Sequence, residues 1–329
     1  IGYQAGEAGG AVTDTVAIGY NAARTNQGAN SIAIGSQVAQ VNQGANSIAI
    51  GYQAGQTNQG ANAVAIGYLA GQTNQAAGCV AVGANAGQTG QSNSAVAIGI
   101  NAGSIGQNGF SVAIGSSAGT RIQGTACVAV GAQAGYTNQG NFGVAVGYSA
   151  GEVNQGSNAV AVGYQAGRSN QRNYAVAVGF SAGSISQANY GIGLGAFAGY
   201  STQGYSSIAI GYSAGYFGQS TGSIAMGFFP AQLSQGSQSI AIGWQTGNQS
   251  QGSNAIAIGT QSGFTNQGTG AVAIGFQTGF EFQGDNSVAI GYSAGYSGQG
   301  NYSVAIGYQA GYSGQGASCL ALGNNAGYI

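Results

Sequence analysis

Residues 48–63 read Ile-Ala-Ile-Gly-Tyr-Gln-Ala-Gly-Gln-Thr-Asn-Gln-Gly-Ala-Asn-Ala, and close copies of this unit fill the chain. One glycine recurs every 16 residues from Gly19 to Gly323 without exception, which defines twenty repeats. We number the repeat so that this glycine is position 4. The first repeat has one extra residue, because the matching glycine before Gly19 is Gly2. A fixed short period is typical of solenoids, in which each repeat forms one coil of a stack.

Positions 1 and 3 are apolar in every repeat and nearly always β-branched, as in Ile48 and Ile50, which predicts a short strand. Small residues at position 7, mostly alanine, predict a second short strand that faces a thin interior. Glycines at positions 4, 8 and 13 predict corners that need a positive φ or a close backbone approach. We therefore predict an all-β fold, a parallel β-solenoid (β-roll) of about twenty 16-residue coils. It forms a single repeat domain over residues 1–329, with 17 residues in its first coil.

Position 12 is the strictest polar column, with glutamine in all nineteen full coils. Stacked amides about 4.8 Å apart can hydrogen-bond along a ladder. We therefore predict a structural ladder of inward or groove-lining side chains, in preference to a repeated ligand site. Its members are Gln27, Gln43, Gln59, Gln75, Gln91, Gln107, Gln123, Gln139, Gln155, Gln171, Gln187, Gln203, Gln219, Gln235, Gln251, Gln267, Gln283, Gln299 and Gln315.

Position 2 points to contact with other copies of the chain. It is alanine in nineteen of twenty coils, on the strand face opposite the Val/Ile pair. A sheet face open to water would collect larger polar residues, so both faces are predicted to be covered. One face packs in the coil and the other against another copy, and the sequence leaves open which is which. The alanines predicted to form such an interface are Ala49, Ala65, Ala161 and Ala177.

Aromatic residues recur at position 5, in twelve of twenty coils. Stacking between coils would account for them without any ligand. The alternative is an aromatic strip that binds carbohydrate or a neighbouring fibre. The residues predicted for this strip are Tyr52, Tyr68, Tyr148, Tyr164, Tyr212, Trp244, Tyr292 and Tyr308.

The composition argues against several classes of function. Nine of 329 residues are charged, the net charge is −1, and histidine and lysine are absent. We therefore expect no nucleic-acid partner, and no apolar run is long enough to span a membrane. No nucleophile has a neighbouring base, so we expect no enzyme, no catalytic residue and no metal or cofactor.

The three cysteines share position 16. We predict that Cys79, Cys127 and Cys319 are small buried thiols in place of serine or alanine.

Residues 46–51, Asn-Ser-Ile-Ala-Ile-Gly, resemble the head repeat of trimeric autotransporter adhesins. That resemblance implies a left-handed parallel β-roll in a homotrimer, displayed on bacterial surfaces for attachment. The longer segment 49–55, Ala-Ile-Gly-Tyr-Gln-Ala-Gly, is similar to repeats in bacteriophage and giant-virus tail-fibre-like proteins. A weaker similarity is to ice-nucleation proteins, whose repeats also have 16 residues.

Our leading hypothesis is a structural protein, a β-solenoid protomer of an extracellular or virion fibre. It would assemble with identical copies as a homotrimer, bundle or filament. The first alternative is a surface adhesin head that binds glycan or a host surface, and the second is an ice-binding protein. We expect an extracellular, cell-surface or virion-surface location and no membrane-spanning segment.

Overall fold

The computed structural model describes residues 1–7 and 13–328, and these residues contain strands and turns but no helix. The chain divides into two compact units, Ile1–Ser169 and Asn170–Ile329. Within each unit, a coil carries a first strand at positions 1–3 and, in most coils, a second strand at positions 10–12. The predicted all-β parallel β-solenoid is confirmed. That residues 1–329 act as one domain stays a prediction.

In the first unit, ten first strands and nine second strands are formed. The first strands are Val16–Ile18, Ile32–Ile34, Ile48–Ile50, Val64–Ile66, Val80–Val82, Val96–Ile98, Val112–Ile114, Val128–Val130, Val144–Val146 and Val160–Val162. The second strands are Thr25–Gln27, Val41–Gln43, Thr57–Gln59, Thr73–Gln75, Thr89–Gln91, Ile105–Gln107, Arg121–Gln123, Thr137–Gln139 and Val153–Gln155.

In the second unit, ten first strands and eight second strands are formed. The first strands are Val176–Val178, Ile192–Leu194, Ile208–Ile210, Ile224–Phe228, Ile240–Trp244, Ile256–Ile258, Val272–Ile274, Val288–Ile290, Val304–Ile306 and Leu320–Leu322. The second strands are Ile185–Gln187, Ser201–Gln203, Phe217–Gln219, Leu233–Gln235, Gln249–Gln251, Thr265–Gln267, Glu281–Gln283 and Ser297–Gln299.

Strands of successive coils pair in parallel, in register with the repeat. In the first unit Val80 pairs with Val96, and in the second unit Val272 pairs with Val288. The second strands follow the same rule, so that Gln75 pairs with Gln91. Each column of the repeat therefore becomes a row of like side chains along a unit.

The prediction of a strand at position 7 is wrong. Position 7 lies in a turn, although its side chain is buried, as at Ala54 and Ala86. The second strand lies at positions 10–12, where the consensus is Thr-Asn-Gln. Its central residue is left-handed, with φ of 56° at Asn58. This sequence lacks apolar alternation, so the pattern did not reveal a strand there.

The coil interior is built from small side chains and glutamine. Apart from alanine, the buried apolar side chains of the described residues are Val38, Pro230, Cys79 and Cys127. The largest fully buried side chains are all glutamines of position 12. Because alanine fills little volume, the two strands of a coil lie close enough for one amide to bridge them.

Glycine at position 4 is required by close backbone packing. Gly99 has φ of +126°, and a Cβ there would lie 2.7 Å from the carbonyl oxygen of Gly115 in the next coil. Any larger residue would therefore push neighbouring coils apart. The predicted need for glycine at this corner is confirmed.

Candidate interaction surfaces

The alanines predicted as an interface have no surface to offer a partner. Position 2 points into the coil, and Ala49, Ala65, Ala161 and Ala177 are all 0% exposed. This finding corrects the predicted interface. Of the two strand faces, the alanine face packs inside the coil and the Val/Ile face points outward.

The Val/Ile face forms an apolar surface along each unit. We call it the first-strand face, and it consists of the side chains at positions 1 and 3 of the first strands. Ile98 and Ile114 at position 3 are 39% and 37% exposed, and Val178 and Ile258 in the second unit are each 37% exposed. β-Branched residues in such numbers are unusual on a solvated sheet face, where polar residues normally alternate with buried ones. The face is therefore a candidate interaction surface.

The glutamines of position 12 are buried and brace the coil. The Gln91 amide Nε2 donates to the carbonyl oxygens of Val80 and Ala95 in its own coil, both at 3.0 Å. It also donates to Oε1 of Gln107 in the next coil at 3.1 Å, while Oε1 of Gln91 accepts from Gln75 at 3.1 Å. Gln91 therefore links the two strands of its own coil and also joins that coil to the coils before and after it.

The amide contacts between coils come in runs. In the first unit one run joins Gln59 to Gln107, and in the second unit another joins Gln235 to Gln283. Where a run begins, the buried Oε1 has no hydrogen-bond partner in the described part of the chain, as at Gln123 and Gln299. At both of these positions the Nε2 atom still donates to the first-strand carbonyl of the same coil, that of Val112 or Val288. How much the amides contribute to stability stays a prediction.

The position-5 rings stack between adjacent coils and remain about half exposed. Ring centroids lie 5.5 Å apart for Tyr52 and Tyr68, and 5.2 Å apart for Tyr292 and Tyr308. The eight rings predicted for the strip are between 42% and 54% exposed. They occur in groups within each unit. The rings of Tyr148 and Tyr164 are 5.3 Å apart, whereas Trp244 pairs in its strand with Phe228. The rings of this row therefore stack on one another and still expose about half of their surface to solvent.

The cysteines differ in exposure. Cys79 and Cys127 are buried, and burial raises the pKa of both thiols. A raised pKa leaves less thiolate at neutral pH, so both are expected to be chemically inert. Cys319 is exposed, so the prediction that all three are buried is wrong for this residue.

Polar grooves follow the corner at positions 11–13, and they were not predicted from the sequence. One lies in the first unit along Asn42, Asn58 and Asn74. Another lies in the second unit beside Arg172 and Thr202. The available signal was Arg172, which occupies a position where the consensus is glycine.

Groups that would carry chemistry are not assembled in the described residues. No set of three histidine, cysteine, aspartate or glutamate side chains could hold a metal there. Residues 1–7 and 13–328 also contain no helix that is long and apolar enough to cross a membrane.

Two ion pairs form among the described residues. They join Arg24 with Glu7 at 3.5 Å and Arg168 with Glu152 at 2.8 Å. The hydrogen bond to Glu152 raises the pKa of Arg168 above its ordinary value, so the Arg168 guanidinium stays charged.

Three segments of the chain match the family model of the YadA head domain repeat: residues 43–55, 234–262 and 283–294. No curated protein matches the chain. Each matched segment begins at position 11 or 12 and contains at least one first strand with its flanking corners. The resemblance to adhesin head repeats is confirmed for these segments, and it centres on the part of the repeat that exposes the Val/Ile pair.

Proposed function

We propose that this chain is a protomer of an extracellular or surface-displayed fibre or adhesin head, and that it assembles with identical copies through the first-strand face. A homotrimer is the proposed assembly. The observation that carries the proposal is the exposed row of valine and isoleucine along each unit. The match to head repeats supports an extracellular location on a cell surface.

The magnitudes favour a long contact between chains over a local one. Fully burying a valine or isoleucine side chain contributes about 1.5–3 kcal/mol. The most exposed position-3 side chains in the middle of a unit, such as Ile98 and Ile258, are 39% and 37% exposed, so covering one of them contributes about 0.5–1 kcal/mol. Association costs about 4–15 kcal/mol in lost freedom. A single coil cannot offset that cost, whereas the contributions of the ten first strands of one unit together reach the same order of magnitude as the cost.

The position-5 rings support the same assembly. In Ile224–Phe228 and Ile240–Trp244 the ring is the last residue of the strand, two residues after an exposed apolar side chain. Since alternate residues of a strand share one face, Phe228 and Trp244 extend the first-strand face. The second candidate function is an adhesin head with an open ring strip. A monomeric chain in solution would favour it.

The test replaces Ile98 and Ile114 together by lysine. Both lie at position 3 of neighbouring coils, and placing two cations in an apolar contact leaves their charges unpaired. We expect sedimentation velocity to show an oligomer for the parent protein and a monomer for the double variant.

The matched control replaces Ile105 and Ile122 by lysine. These residues belong to the second strands of the same two coils and are more exposed, at 48% and 59%. We expect the control to keep the parent oligomer, because its lysines lie outside the first-strand face. Dissociation of both variants alike, or of neither, would contradict an interface on this face.

A further inference from the structure

We propose that the second unit carries a carbohydrate-binding groove around Arg172, specific for a short acidic oligosaccharide that bears a sugar carboxylate. The inference goes beyond self-assembly. It depends on the proposed function only in that the groove would face outward from an extracellular fibre.

The groove lies on the outer side of the second strands. It has a volume of about 460 Å³ and is lined by Asn170, Arg172, Ser186 and Thr202, together with residues at positions 12 and 13 of two coils. A further groove of about 310 Å³ shares Thr202 and Gly204 with it. The two grooves together therefore follow several coils of one unit, which suits an extended ligand.

The lining matches the hydrogen-bonding chemistry of a sugar. Ser186 and Thr202 supply hydroxyl groups, and the adjoining groove adds Ser220, Thr221 and Ser237. Hydroxyl groups both donate and accept hydrogen bonds, as sugar hydroxyls do. Ser186 and Thr202 are exposed, so their side chains are accessible to a ligand.

Arg172 supplies the only positive side chain of the second unit. The acidic residues of that unit, Glu281 and Asp285, lie seven coils further along the sequence. The ion pairs within the described residues involve other arginines, and Arg172 is exposed. An exposed guanidinium without an ion-pair partner offers a planar set of donors that fits a carboxylate. The positive charge of Arg172 therefore favours an acidic sugar over a neutral one.

Three tyrosines continue the corner that carries the groove residues. Tyr174 follows Arg172 by two residues, and its ring stacks on Tyr190 with centroids 5.1 Å apart and planes 2° apart. Tyr205 follows the groove residue Gly204 and meets Tyr190 edge-on at 5.5 Å. All three rings are about half exposed. Exposed rings offer apolar faces to the C–H faces of a pyranose, while their hydroxyls remain available for hydrogen bonds.

The first unit contains a natural comparison. Its groove of about 420 Å³ lies at the same positions of the repeat. Asn58 there donates to Asn74 at 3.0 Å and accepts from Asn42 at 2.9 Å, so the amides are occupied with one another. No arginine lines this groove, and position 15 is Asn62 or Gly78 there, whereas the coils beside Arg172 have Tyr174 and Tyr190 at that position. The same corner without charge and rings is expected not to bind.

The experiment titrates the full chain with tetragalacturonate and with neutral maltotetraose by calorimetry. We expect the acidic tetrasaccharide to bind and the neutral one to bind about tenfold more weakly or not at all. Arg172→Gln should weaken binding of the acidic sugar by about tenfold. Tyr190→Ser should weaken it by about fivefold, because the central ring of the row is lost. Both residues are exposed, and unchanged melting temperatures would show that the variants fold.

Two variants serve as controls. Asn58→Ser alters the groove of the first unit, and Tyr302→Ser removes an exposed position-15 ring seven coils beyond Tyr190. Both should bind the acidic sugar as the parent does. Binding that is equal for Arg172→Gln and the parent, or absent at millimolar sugar, would overturn the inference.

Sedimentation of the same samples separates this inference from the proposed function. An intact oligomer that binds no sugar rejects the groove alone. A monomer that binds the acidic sugar, with loss in Arg172→Gln, supports the groove and rejects the proposed assembly.

Discussion

At the scale of single residues, the buried glutamine is the most informative side chain, because it occupies the interior of the coil, where aliphatic side chains are usual. We predict that Gln91→Leu lowers the free energy of unfolding by about 2–4 kcal/mol, since each buried polar group left without a partner costs about 1–3 kcal/mol. The groups that lose a hydrogen bond are the carbonyls of Val80 and Ala95 and the amides of Gln75 and Gln107. The Ala95 carbonyl still accepts from the Val80 N–H, and the Gln75 amide still donates to Val64, so the cost stays at the lower end of the sum. Denaturant unfolding and hydrogen exchange of the adjacent coils would measure the loss.

The matched control for this change is Gln88→Leu in the same coil. Gln88 is half-buried, and its amide donates to Oε1 of Gln72 at 3.1 Å. Water can replace that bond at a partly exposed site, so the change should cost less than about 1 kcal/mol. Equal losses for the two variants would argue against the interior amide as the element that braces the coil.

At the scale of the element, the first strand and its corners were predicted from the sequence, whereas the second strand was predicted at position 7 and lies at positions 10–12. The first strand was predictable because β-branched residues at positions 1 and 3 alternate and glycine follows. Residues such as Thr57 and Asn58 carry no such alternation, and Asn58 has a φ of 56°, outside the usual strand region. Which face of the first strand points into the coil was also not predictable, because alanine and isoleucine are both apolar and either could line the interior. Only the volume of the coil decides which one packs inside.

Corner glycines test this view of the element, because two glycines of one coil have positive φ for different reasons. At Gly99 a Cβ would lie 2.7 Å from the Gly115 carbonyl oxygen, whereas at Gly106, with φ of 67°, nothing lies within 4 Å. We predict that Gly99→Ala destabilises the protein by more than about 2 kcal/mol, through strain and close contact.

Gly106→Asn is the control, and we expect it to change stability by less than about 0.5 kcal/mol. Asparagine tolerates left-handed backbone and occupies the same position at Asn58 and Asn74, with φ of 56° at both. Thermal melting compares the two variants. A small effect of Gly99→Ala would mean that the coils can separate at this corner more easily than the contact distances indicate.

At the scale of the whole molecule, the low charge sets how the chain should associate. Nine charges in 329 residues leave few ion pairs to hold copies together, whereas the first-strand face exposes an apolar row in each unit. The groove around Arg172 is the exception, and its single charge was visible in the sequence. The other residues that line the groove were not visible in the sequence, because they belong to successive coils that only the fold brings side by side.

Association should therefore respond to temperature more than to salt. We predict that raising NaCl from about 0.05 M to about 1 M leaves the oligomer intact, because that range screens charge pairs and little else. Cooling should shift the equilibrium toward monomer, since burial of apolar surface is driven mainly by entropy near room temperature and weakens in the cold. Sedimentation equilibrium at several temperatures and salt concentrations measures both effects. Dissociation in high salt together with indifference to cooling would show that charged contacts hold the copies together, and the first-strand face would then lose its role.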